Sequence, residues 1–251
     1  MATREPDLIY YGYTLAVVDQ DGSSLNHRAA LLFQVPAAHD GRAMYEEYDL
    51  RHCLLAALYH LNRIIDLYAE MARLFEETHP NAGNVGNSCD QRIYFEVDAF
   101  LVATRHVYDL FAKVLWKHYG RDKSDQWLRI KTALKFEGVI PSEFDAVIRD
   151  SWETHGKKVT AYRDCLLHYV PLTEAASTTV WMNRFDGKWG ATVRLPSNPE
   201  ANSRRAFDTR SSDVDALSYC HSIISELIGL SEKLVAQPEI SAYIASPPRL
   251  D

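Results

Sequence analysis

The chain has no long hydrophobic run. A membrane-crossing helix needs about 20 consecutive apolar residues, and here His, Arg or Asp interrupts every apolar stretch well before that length. The opening residues, Met1-Ala2-Thr3-Arg4-Glu5-Pro6-Asp7, are polar and carry no secretory signal. A cytoplasmic protein with no membrane partner is expected. Cysteine is scarce: Cys53, Cys89, Cys165 and Cys220 form neither a CxxC pair nor a zinc spacing. Three of them read as small buried hydrophobes and Cys89 as a loop thiol. A phosphate loop is missing, because Gly83 and Gly86 lack the Lys-Ser/Thr that would follow. There is no Gly-x-Ser-x-Gly nucleophile elbow either. Positive charge is also short, with 27 Lys and Arg against 34 Asp and Glu, a net charge of −7. That balance opposes avid nonspecific nucleic-acid binding, so no DNA partner is expected. It leaves room for an RNA enzyme with a small basic site.

The chain holds ample apolar material, with 47% hydrophobic and 24% charged residues among 251. One domain over 1–251 accommodates it. Residues 1–42 read as strands. Ile9 to Val18 is aromatic and β-branched, Asp21-Gly22 signals a turn, and Ala30 to Val35 supplies a return strand. From about Ala43 the period changes. Leu50, Cys53, Leu54, Ala57, Leu61, Ile64, Ile65, Tyr68 and Met71 recur every three or four residues, which predicts an amphipathic helix ending before Pro80. The run Asn81 to Ser88 reads as a loop. A second long helix is expected from about Gln91 to Tyr119, with Gly120 as its cap. Shorter helices follow at about 124–136 and 142–152, with Pro141 at a start and Ser142 as a cap.

A helix over about 154–169 stops before Pro171. Two strand-like runs, Thr178 to Phe185 and Lys188 to Leu195, flank Asp186-Gly187 and predict a β-hairpin over about 177–196. A closing helix spans about 213–236, and 237–251 reads as a frayed tail. There is no regular βαβ alternation, which excludes a doubly wound sheet. The expected fold is mainly α, within the α+β class: a helical bundle core over 43–172 with accessory β-hairpins.

The helix over 154–169 carries Arg163-Asp164-Cys165-Leu166-Leu167-His168. Asp164 and His168 stand four residues apart and share a face, so the carboxylate can fix the imidazole tautomer. His168 lies in the last turn, where the helix dipole favours a cation. Arg163 points about 140° away from His168, within reach of a long side chain. A histidine moves protons near neutral pH. An arginine stabilises phosphate as its charge builds. The three groups suit attack by an RNA 2′-hydroxyl on its own phosphodiester, with no metal needed. The same residues also read as ordinary structure. Val159, Tyr162, Leu166 and Tyr169 then make a buried stripe, Arg163 and Asp164 are solvated, and His168 caps the helix end.

The pattern Arg-polar-x-x-x-His resembles the signature of the HEPN superfamily, small helical-bundle proteins that include RNases and toxins of toxin–antitoxin pairs. The resemblance covers the motif helix and, in order, the long helices before it. It implies an HEPN-like bundle and a metal-independent endoribonuclease of a toxin–antitoxin or defence system. Arg163 and His168 would be the catalytic pair and Asp164 their orienting partner. It further implies RNA as substrate, a homodimer in which two motifs form one cleft, a protein antitoxin as partner, and no cofactor. Asn is commoner than Asp at the second position in that family, and the hairpins and chain length exceed a minimal bundle. The alternative is a non-catalytic HEPN-like dimerisation or interaction protein.

Three other groupings carry chemistry. Asp98, Arg105, Asp109 and Trp116 fall within about 20° of one line on the second long helix. They form either a polar seam, with Arg105 as a second phosphate contact, or a solvated face with an Arg105–Asp109 pair. Glu76-Glu77-Thr78-His79 is a single Glu-x-x-His, whereas helical di-iron sites need two. His52, His106 and His168 sit on three helices and would have to converge to hold a metal. Trp181 and Trp189 on the hairpin either stack on bases or pack the sheet onto the helices.

Overall fold

The computed structural model describes residues 19–33, 45–88, 90–120, 127–168, 180–185, 187–197, 199 and 214–245. The described part is mainly helical with one small antiparallel sheet, in keeping with the composition and periodicity of the chain. No helix among the described residues is long and apolar enough to cross a membrane.

Helix α1, Leu25–Leu31, corrects the return strand expected over Ala30–Val35, since Ala30 and Leu31 are helical and Leu32 and Phe33 are not in a strand. Ser24 caps it by accepting from the His27 amide, and Leu25 and Ala29 are buried. Arg28 then secures it, pairing with Glu232 at 2.7 Å and with Asp19. A good cap and long-range ion pairs outweigh the strand propensity of Leu31-Leu32-Phe33. The expected strand over Ile9–Val18 lies outside the described residues.

Helix α2, Tyr45–Thr78, and helix α3, Arg92–Tyr119, form an antiparallel hairpin close to the predicted bounds. Their apolar stripes meet in the core through residues such as Leu54, Leu61, Ile64, Val97, Phe100 and Val107. Polar rungs mark the register. His60 bonds Glu96 at 2.7 Å, and Arg92 reaches Glu70 at 3.1 Å. At the far end Lys117 and His118 clasp Glu47 at 2.9 and 2.8 Å. Burial alone would raise the Glu47 carboxyl, but the His118 and Lys117 bonds hold it below the usual carboxylate range.

The segment between α2 and α3, read as a loop, contains strand β1, Val85–Ser88. It pairs with β2, Val180–Phe185, which pairs with β3, Lys188–Thr192, in the order β1-β2-β3. The pairing is non-local, so Asn- and Gly-rich composition concealed it. The hairpin itself forms as the Asp-Gly signal predicted, with Gly187 at φ +79°.

Helix α4 is a single turn, Ile130–Ala133. Helix α5, Ser142–Ser151, starts after Pro141, so Ser142 is its first residue and not its cap. A π-turn, Trp152–Gly156, then runs without a break into α6, Lys157–His168. The two helices expected here are therefore one helical run with an extra residue inserted. Gly156 lets that turn close, because a Cβ there would stand 2.3 Å from the Trp152 ring. Helix α7, Ala216–Val235, is capped by Asp215 and buries Leu217, Ile223, Ile224, Leu227 and Ile228. The expected tail holds a further helix, α8, Pro238–Ala245. Its Ile240 is buried, and its Tyr243 ring lies 4.6 Å from the Lys117 ammonium. Apolar anchorage and a cation–π contact give this segment an ordering energy that its polar flanks do not suggest.

Candidate functional site

The motif occupies the last turns of α6, as the sequence suggested. Val159 and Tyr162 are buried, as two of the four expected stripe residues. Leu166, Tyr169 and the His168 ring lie outside the described side chains. Tyr162 fixes the rotation of α6. Its hydroxyl donates to the Pro196 carbonyl at 2.7 Å, and its ring meets Tyr219 of α7 edge-on at 5.4 Å. The Lys158 ammonium covers the same Tyr219 ring at 5.4 Å. Burial pushes the Tyr219 hydroxyl well above the ordinary phenol range.

With Tyr162 turned inward, Arg163 is carried to the edge of the fold. Its guanidinium donates from Nη1 to Asp164 Oδ1 at 2.7 Å, and the two side chains are 25% and 43% exposed. The structure thus brings together Arg163 and Asp164, in a pair partly open to water.

Arg105 is placed differently. The predicted pairing with Asp109 exists, at 2.7 Å, but it is not solvated: Arg105 is 5% and Asp109 22% exposed. Neither atom of that contact is aligned for a hydrogen bond, and among the described residues Arg105 Nε has no acceptor. The Arg105 guanidinium lies 5.5 Å from the Trp152 ring centre, in the π-turn. Trp152 precedes Arg163 by eleven residues in one helical run, so about 16 Å of helix separates the two stations. Arg105 is thus buried against Asp109 and Trp152.

The remaining seam residues, Asp98 and Trp116, are half-buried. Asp98 Oδ1 is buried without a partner among the described residues, and burial pushes its carboxyl up to about 7. Tyr108, one turn from Arg105, shares a 3.0 Å hydrogen bond with Ser151. His155 in the π-turn is held below the usual imidazole range by burial, against the opposing pull of Glu226 and Asp150.

His106 stands 3.8 Å from the half-buried Cys53 thiol, a Cys–His contact the sequence did not suggest. His79 stacks on Phe75 at 4.5 Å. Among the described residues no group of three or more His, Cys, Asp or Glu is placed to hold a metal ion. Cys220 is buried, as expected of a small hydrophobe, while Cys89 and the Cys165 side chain lie outside the described atoms. Trp189 packs into the sheet–helix interface against Phe75 at 4.7 Å, whereas Trp181 faces outward.

No protein-family model, no curated protein and no solved structure matches this chain.

Proposed function

We propose that the protein is an HEPN-like, metal-independent endoribonuclease in which Arg163 holds the scissile phosphate, His168 moves the proton and Asp164 orients them. The supporting observation is the Arg163–Asp164 pair, partly open to water, on a helix whose last described residue is His168. An exposed ion pair is worth about 0–1 kcal/mol. An incoming phosphodiester can therefore displace Asp164 from Arg163 at small cost, and the freed carboxylate can serve the imidazole four residues on. The 2′-oxygen then forms a bond to phosphorus and gives its proton to a base. The bond from phosphorus to the 5′-oxygen breaks, and that oxygen takes a proton. Arg163 balances the charge that gathers on the non-bridging oxygens. The same resemblance supports a homodimer, a role in a toxin–antitoxin or defence system, and a protein antitoxin as partner.

The test is incubation of the purified full chain with total cellular RNA in excess EDTA. Cleavage that is lost in Arg163→Ala and in His168→Ala supports the reading. Uncut RNA with a folded wild-type protein rejects it. A non-catalytic interaction protein is the second reading. It rests on the exposure of Tyr59, Phe95 and Val102 along α2 and α3. A stable dimer by light scattering, together with inert RNA, would favour it.

A further inference from the structure

We draw no further inference here: the strongest candidate, the outward face of the α2–α3 helical hairpin at Tyr59, Phe95 and Val102, carries none because nothing in the structure shows what covers it.

Discussion

Two arginine–aspartate pairs in this molecule share one separation and differ in everything else. Arg105 and Asp109 meet at 2.7 Å across a turn of α3, with the guanidinium sealed against Trp152. Arg163 and Asp164 also meet at 2.7 Å, but as chain neighbours on α6 and partly open to water. Removing two charges from water costs several kcal/mol per ion, which the mutual attraction barely recovers. The buried pair is therefore locked, since neither partner can leave without stranding the other. The open pair is worth so little that either partner can be exchanged. Distance alone does not separate a locked arginine from an exchangeable one; burial does.

The largest effect expected is at the locked pair. Arg105→Ala strands Asp109 and uncovers Trp152, and should cost about 3–5 kcal/mol in urea unfolding. An Arg105→Met/Asp109→Leu double variant should recover most of that loss, because a packed apolar pair removes the buried charges together. At the open pair the balance reverses. Arg163→Ala should change stability by under about 1 kcal/mol while lowering RNA cleavage by about a hundred- to a thousandfold.

Asp98 sharpens the contrast by pH. Its folded carboxyl keeps a proton up to about 7, whereas the unfolded group releases it near 3.8. Between those values the folded state binds more protons, so this residue makes stability fall as pH rises, with no further change above the window. Asp98→Asn should flatten that slope and gain on the order of 1–2 kcal/mol at pH 8, allowing for partial solvent access. The smallest effect belongs to Asp164→Asn. Arg163 is then relieved of its competitor, and the affinity for a fluorescein-labelled 2′-O-methyl oligonucleotide, which cannot be cleaved, should improve by roughly two- to fivefold by anisotropy.

Much of this frame was legible in residue order. The periods of α2 and α3 and the Asp-Gly turn follow from local chemistry, whereas the two hairpin tryptophans read alike until the pairing register set Trp189 inside and Trp181 outside. The Arg105–Asp109 spacing predicted the pair but not its burial, because burial depends on Trp152, which arrives from another part of the chain. β1 was hidden for the same reason: its strand character comes from pairing with β2, nearly a hundred residues later, and not from Val85-Gly86-Asn87-Ser88 itself. The π-turn was missed because the sequence read as two helices, about 142–152 and 154–169, whereas the missing side chain of Gly156 makes room for the Trp152 ring within one run. Helix α8 escaped because one buried isoleucine and a Lys117–Tyr243 contact are tertiary facts.

The proposed role of Arg163 at the scissile phosphate is read from the ends of the cut RNA. Attack by the 2′-hydroxyl, with Arg163 and His168 in place and EDTA present, must leave a 2′,3′-cyclic phosphate on one fragment and a 5′-hydroxyl on the other. Arg163→Ala should yield neither end, while the protein still unfolds at the wild-type urea midpoint. Fragments bearing 3′-hydroxyl and 5′-phosphate ends, or cyclic-phosphate ends produced undiminished by Arg163→Ala, would contradict the account.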